Sequence, residues 1–161
     1  LLVAPYTPGE ILLGKGTASV ITGIIQAVFV VLVAMFWFRI PFQGSIWLLS
    51  AALLLFIVTA AAIGLCISSF AQSLQQAIVG TFLLLVPMVM LSGFATPISS
   101  MPEIFQSLTL LNPMRYGLEL IQRIFLEGAG FLDLWPLFAA IMAVTVVAVL
   151  AAVFSFHHKI S

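Results

Sequence analysis

Charged side chains are what this sequence has least of. Only ten of its 161 residues are Lys, Arg, Asp or Glu, and none occurs between Arg39 and Glu103 or between Asp133 and Lys159. A water-soluble domain contains about 25% charged residues, whereas this chain is 6% charged and 63% hydrophobic. A chain this apolar cannot cover a water-exposed surface, so we predict an integral membrane protein.

The sequence also lacks the patterns from which most catalytic and cofactor sites are built. No glycine-rich phosphate-binding loop is present, so the chain does not bind ATP by that route. The two histidines, His157 and His158, have no Cys, Asp or Glu beside them, and the single cysteine, Cys66, lies in an apolar run. We therefore predict no catalytic residue, cofactor site or metal site in this chain. Its formal net charge of zero gives no indication of nucleic-acid binding.

Four apolar segments are long enough to cross a bilayer as helices, which takes about 20 residues each. They cover residues 16–38, 46–70, 77–94 and 134–156. None of them alternates apolar and polar residues, and a strand with unpaired backbone groups is too costly in lipid. We therefore predict an all-α membrane protein with four transmembrane helices.

The tryptophans give an independent check of the number of spans. Four spans place both chain ends on one side, and Trp37, Trp47 and Trp135 then all fall at span ends on the opposite side. Because tryptophan prefers the membrane–water interface, this agreement supports four spans. The basic residues are divided between the two sides, so their distribution does not decide which side is cytoplasmic.

The connection between the third and fourth spans, residues 95–133, is the unusual part of the chain. It holds six of the ten charged residues yet remains rich in Leu, Ile and Phe. Prolines divide it into two short helical segments, at about 102–111 and 114–127; the second follows an Asn-Pro pair and ends before Gly128. We predict a helical hairpin, which lies on the membrane or re-enters it.

The second arm of this hairpin is predicted to be an amphipathic helix. Its apolar side follows a helical spacing at Met114, Leu118, Ile121 and Phe125. Its other side carries four charges of alternating sign, called here the charge stripe: Arg115, Glu119, Arg123 and Glu127. Neighbours in the charge stripe are four residues apart, a spacing at which opposite charges on a helix can pair.

A few polar and small residues stand out within the spans. Gln26, near the middle of the first span, is either a hydrogen bond between helices or a contact along a transport pathway. Ala60, Gly64 and Ser68 form a ladder of small residues, which allows close packing either within the chain or between two copies. Pro87 interrupts the third span and is predicted to bend it.

Three stretches of the sequence resemble a known family. "LLVAPYTPGEILLGK" is similar to the cytosolic segment before a span in permease subunits of the type-2 exporter class of ABC transporters. "SSFAQSLQQA" resembles a loop of that family, although the basic residue often found near Gln72 is missing. "LSGFATPISSMPEIFQSLTLLNPMRYGLELIQRIFLEGAGFLDLWP" resembles the family's proline-broken hairpin before the last span, with Glu127 where lysine is common. The resemblance covers nearly the whole chain.

The resemblance implies an architecture and a set of partners. Residues 1–161 would form one permease domain, containing the last four of six spans of a longer protein, with both ends in the cytoplasm and the hairpin outside. Residues 1–15 would be the coupling segment, which touches a separate or fused ABC ATPase through Pro5, Thr7, Pro8 and Glu10. ATP and Mg²⁺ would bind to that ATPase, and a second permease half would complete a homo- or heterodimer in the bacterial inner membrane.

The resemblance thus predicts an export permease, and two other functions stay open. The chain could instead be a non-transporting membrane scaffold or sensor subunit, in which the ladder and the hairpin are only assembly surfaces. An intramembrane enzyme is a weaker alternative, because no serine has an internal histidine to activate it. Drug, lipid, polysaccharide and ion exporters of this class share one architecture, so the resemblance implies no particular substrate.

Overall fold

A computed structural model describes the backbone of residues 8–160 and the side chains of Glu10 and residues 13–155. Over this range the chain is helical and contains no strand, which confirms the predicted all-α class. The elements in chain order are α1 (Pro8–Phe36), α2 (Ile46–Phe70), α3 (Leu74–Met90), a 3₁₀ turn (Ile98–Ser100), α4 (Glu103–Thr109), α5 (Pro113–Glu127) and α6 (Phe131–Ile160).

Three of these helices are long and apolar enough to cross a membrane. The qualifying segments are Leu13–Phe36, Ile46–Phe70 and Phe131–Ser155, with mean hydropathies of 2.4, 2.6 and 2.8. They match the first, second and fourth predicted spans within a few residues. The structure therefore supports three spans by length and composition.

The third predicted span, residues 77–94, corresponds to α3, which is shorter than the helices of the other three predicted spans. α3 has 17 residues and ends at Met90, so at about 1.5 Å per residue it extends roughly 25 Å, against about 30 Å for a bilayer core. Gly93 adopts a φ of 88°, a left-handed conformation that glycine adopts without strain. The backbone turns there, which is why the helix stops before Phe94, where the apolar run ends.

The core lies where α5 docks against the beginnings of α2 and α6. Its buried residues come from all three helices: Leu49, Ala52, Leu120, Ile124, Phe125, Leu134 and Ile141. α2 starts at Ile46 and α6 at Phe131, so the hairpin arm covers the end of the helix pair that also carries Trp47 and Trp135. Deeper in the pair, the hydroxyls of Thr59 and Thr145 meet at 2.6 Å.

The connection between α1 and α2 fixes the far end of α5. The N–H of Gln43 donates to the carbonyl oxygen of Phe125 at 3.2 Å, and the rings of Phe42 and Phe125 meet edge to face at 5.2 Å. A Cβ atom at Gly44 would collide with the backbone carbonyl of Ile124. Residue 44 must therefore be glycine for the connection to approach α5 this closely.

Candidate functional site

Two short helices, α4 and α5, joined by a tight corner lie where the sequence predicts the hairpin. Asn112 caps the start of α5, because its Oδ1 accepts a hydrogen bond from the Met114 N–H at 3.0 Å, and Pro113 opens the first turn. Gly128 ends α5 in a left-handed conformation with φ 63°. The two helical segments and their breaks are confirmed.

Side chains from the first turns of α5 fasten this corner, which comprises residues 109–112. The hydroxyl of Tyr116 donates to the carbonyl oxygen of Leu110 at 2.7 Å. The guanidinium of Arg115 donates from Nη1 to Oγ1 of Thr109, whose side chain is fully buried. The corner is therefore a bonded unit rather than a loose loop.

Asn112 also joins the corner to the end of α3. Its Nδ2 donates to the carbonyl oxygen of Met88 at 2.7 Å, and the residue is 5% exposed. α3 buries none of its residues, and Pro87 lies within its last turn. A proline removes the helical hydrogen bond to the residue four positions earlier, here Leu83. The amide of Asn112 thus attaches the part of α3 beyond the proline to the hairpin.

The charge stripe is paired only in part. Arg123 lies between two carboxylates: its Nη1 is 3.7 Å from Oε1 of Glu119, and its Nε is 3.5 Å from Oε2 of Glu127. Arg115 does not join this group, because its guanidinium turns back to Thr109. Of the three pairs that the spacing allows, those of Arg123 with Glu119 and with Glu127 are present, and the pair of Arg115 with Glu119 is absent. The three paired side chains are 39–64% exposed, and exposed pairs contribute little stability.

The buried face of α5 is rotated from the predicted one. Gly117, Leu120 and Ile124 are buried, whereas Met114, Leu118 and Ile121 are only half-buried; Phe125 is buried as predicted. The cause is the ring of Phe56 on α2, whose Cδ2 would lie 2.5 Å from a Cβ at residue 117. α5 approaches α2 through its glycine, which a pattern of large apolar residues does not reveal.

The residues singled out within the spans face open grooves. Gln26 is exposed and lines a groove of about 770 Å³ between α1 and α2; among the described residues it has no hydrogen-bond partner. Ala60, Gly64 and Ser68 are also exposed, and a Cβ at Gly64 would meet no atom within 4 Å. Packing within the chain therefore does not explain the ladder of small residues.

The predicted coupling residues lie at the edge of the described structure. Pro5 and Thr7 are outside the described residues. Pro8 begins α1, and Glu10 is exposed in its first turn. Within the described part of the chain, no group of three His, Cys, Asp or Glu side chains is placed to hold a metal ion.

Comparison with known proteins identifies the family. The model of the ABC-2 type transporter family matches residues 1–126. The chain belongs to the ABC-2 type transporter family. The match runs from the predicted coupling segment to the last turn of α5, so it includes three of the four predicted spans and both arms of the hairpin of this ABC-2 chain.

Curated relatives of this chain are named as permeases. The ABC-2 chain is 31% identical over 160 residues to the probable multidrug ABC transporter permease YbhR of Escherichia coli, covering 99% of this chain and 44% of that protein. It is 36% identical over 147 residues to the inner membrane transport permease YhhJ of Escherichia coli, covering 89% and 39%. The chain thus spans less than half the length of these relatives. No solved structure matches it significantly.

Proposed function

We propose that this protein is the membrane-spanning permease subunit of an ATP-driven exporter, with residues 1–161 forming one transmembrane domain. The observation that carries the proposal is the family match over residues 1–126 on a chain whose helices include three of membrane-spanning length. The relatives named above are transport permeases, one of them of probable multidrug type. By analogy we assign an amphipathic or lipid-like substrate and a location in the bacterial inner membrane.

In the proposed topology α3 is a fourth and short span. Its 17 residues, most of them apolar, lie at the lower limit of about 17 residues for a transmembrane helix. Trp37, Trp47 and Trp135 are 82%, 82% and 58% exposed, as expected for residues at a membrane interface. With four spans, these tryptophans and the hairpin lie on the outer side, and both chain ends are cytoplasmic.

The hairpin is proposed to dip into the outer leaflet as a re-entrant element. α4 and the corner expose large apolar side chains, with Ile104 at 76% and Leu111 at 75%. Such side chains are costly in water but favourable in the interfacial part of a bilayer. The polar groups of the corner are bonded internally, which irregular backbone at membrane depth requires.

We propose that the energy comes from a partner ABC ATPase, separate or fused, which holds the ATP and Mg²⁺. Contact with it is assigned to the coupling segment, through Pro5, Thr7, Pro8 and Glu10. A second permease half completes the pathway. Gln26, whose amide lies in an open groove, and Pro87 are assigned to the transport pathway.

The proposal is tested by reconstituting the intact permease in liposomes, with and without an ABC ATPase that co-purifies with it. We expect ATP-dependent efflux of an amphipathic dye only when both proteins are present. A matched control is the same ATPase with its catalytic glutamate replaced by glutamine, which must abolish efflux. Co-purification of the two proteins without any ATP-dependent movement would instead favour a scaffold or sensor subunit.

A further inference from the structure

A polar cleft lies between the end of α3 and the outer face of α5. It has a volume of about 180 Å³. Its walls are formed by Ser92, Gly93 and Ile98 after α3, and by Arg115, Glu119 and Gln122 on α5. The positive φ of Gly93 turns the chain out of α3 and so opens the space beside α5. The cleft therefore depends on the same turn that ends α3.

Arg115 brings an unneutralised positive charge into this cleft. Among the described residues, no carboxylate oxygen lies within 4 Å of its guanidinium, since both ion pairs of α5 belong to Arg123. Of its five N–H donors, one donates to Thr109, and the buried Nε has no hydrogen-bond partner. The ring of Tyr116, 5.9 Å from its Cζ, offers only a weak cation–π contact. An anionic group entering the cleft would meet unused donors and a free positive charge.

Glu119 places a negative charge on the wall of the same cleft. Its carboxylate is 3.7 Å from Arg123, longer than a hydrogen bond, so its oxygens can still accept from another donor. The carboxylate would repel a purely anionic ligand. A ligand that carries a phosphate and an ammonium side by side satisfies both walls, the phosphate at Arg115 and the ammonium at Glu119.

The surroundings of the cleft indicate where such a ligand comes from. Phe94, Ile104 and Leu111 are 73%, 76% and 75% exposed, so the same region of the chain, residues 92–122, carries both a polar recess and exposed large apolar side chains. That combination matches the boundary between acyl chains and headgroups in a bilayer. A phospholipid can place its chains on the apolar surface and its headgroup in the recess at the same time.

We propose that this cleft binds the headgroup of a zwitterionic phospholipid of the phosphoethanolamine type. Arg115 is the counter-ion of the phosphate, and Glu119 is the counter-ion of the amine. The proposal rests on the outer-leaflet placement of the hairpin given under Proposed function, but it requires neither transport nor the ATPase. A lipid held there joins the end of α3 to α5 from the membrane side, beside the bond between Asn112 and Met88.

The test measures lipid binding to the intact permease, purified in detergent without the ATPase, by native mass spectrometry. The probes are dioctanoyl phosphatidylethanolamine, dioctanoyl phosphatidylglycerol and inorganic phosphate, each titrated separately. We expect phosphatidylethanolamine to bind more tightly than phosphatidylglycerol, and an equal concentration of inorganic phosphate not to displace it. Because binding is read without ATP or substrate, a failure of the transport proposal leaves this result unchanged.

Two substitutions separate the roles of the two charges. Arg115→Gln should weaken phosphatidylethanolamine binding by about tenfold or more, as expected for the loss of a charge-assisted hydrogen bond. Glu119→Gln should remove the preference for phosphatidylethanolamine over phosphatidylglycerol while phosphatidylglycerol still binds. Arg123→Gln makes the same change of charge on the same helix outside the cleft. Because it also frees Glu119 from its ion pair, the preference should be retained or increased.

A further variant tests whether a loss of binding in Arg115→Gln comes from a change in structure and not from the lost charge. Thr109→Val removes the hydrogen-bond partner of Arg115 but keeps its charge, so it should leave lipid affinity close to wild type. Equal losses in Thr109→Val and Arg115→Gln would mean that the corner, not the charge, supports binding. Unchanged affinity in Arg115→Gln would overturn the site. Displacement of the lipid by an equal concentration of inorganic phosphate would mean that the cleft binds a free anion and not a lipid headgroup.

Discussion

The hydroxyls of Thr59 and Thr145 meet at 2.6 Å between α2 and α6, in a region where both residues are buried. Each hydroxyl is also 2.7 Å from a carbonyl oxygen of its own helix, that of Leu55 for Thr59 and that of Ile141 for Thr145. Two hydroxyl protons therefore serve three close contacts. One of the two hydroxyls must donate across the interface or share its proton, so the pair couples the two helices.

We expect a double-mutant cycle on this pair to reveal that coupling. Thr59→Val and Thr145→Val should each destabilise the intact permease by about 0.5–1.5 kcal/mol, because valine keeps the shape but loses the hydroxyl. The double variant should lose less than the sum, with a coupling of about 0.6 kcal/mol, typical of hydrogen bonds between membrane helices. Unfolding in mixed micelles measures each value.

Thr81→Val is the matched control for the cycle. Thr81 is exposed, and its hydroxyl donates only to the Ala77 carbonyl oxygen of its own helix. It should show no coupling to Thr145. Strict additivity between Thr59→Val and Thr145→Val would show that the two hydroxyls do not interact in the folded protein.

A second prediction separates the two roles of Asn112. Asn112→Asp keeps the oxygen that caps α5 but removes the Nδ2 donor to the Met88 carbonyl, whereas Asn112→Ala removes both. We expect hydrogen exchange of residues 88–94 to accelerate in both variants, because the end of α3 is released. Exchange at the start of α5 should accelerate only in Asn112→Ala, through loss of the cap.

Wild-type protection of residues 88–94 in Asn112→Asp would contradict this assignment. The end of α3 would then be held by apolar contacts instead. The apolar side chains nearest to hand are Leu108 and Leu111, which line a cavity of about 450 Å³ together with Pro87 and Met88 of α3.

The limits of inference from sequence follow from where each interaction is encoded. The three long helices follow from the length of the apolar segments, and the breaks of the hairpin follow from the positions of Pro113 and Gly128. Both signals are local in sequence, and these predictions were correct. The bond between Thr59 and Thr145 joins residues 86 positions apart, and two threonines in apolar runs carry no periodic signal. The diversion of Arg115 to Thr109 depends on the path of the corner, which spacing along a single helix cannot contain.

The rotation of α5 has the same origin. A helix of this composition offers more than one apolar face, and the choice between them is made by the surface of α2. The ring of Phe56 fits only where α5 presents Gly117. The sequence shows the glycine but not its neighbour.

A third prediction concerns this glycine. Gly117→Ala should destabilise the protein by about 1–3 kcal/mol, as overpacking does, because its Cβ would lie 2.5 Å from Cδ2 of Phe56. Phe56→Leu in the same chain should recover part of the loss. Gly64→Ala is the matched control on α2, since its Cβ meets no atom within 4 Å. Equal thermal stabilities of Gly117→Ala and Gly64→Ala would show that α5 does not dock this way.

The last prediction tests the sidedness of the proposed topology with single cysteines in a Cys66→Ser background. Thr7→Cys and Glu10→Cys should crosslink to the ABC ATPase and stay unlabelled by an impermeant maleimide on intact spheroplasts. Gln122→Cys, on the exposed face of α5, should show the reverse pattern, because four spans place the hairpin outside. α5 is bonded to the connection between α1 and α2, so the hairpin lies on the same side as that connection, and the 17-residue helix α3 must cross to link the end of α2 to it. Protection of Gln122→Cys until the membrane is permeabilised would therefore contradict the proposed sidedness, because the hairpin and that connection would both be cytoplasmic.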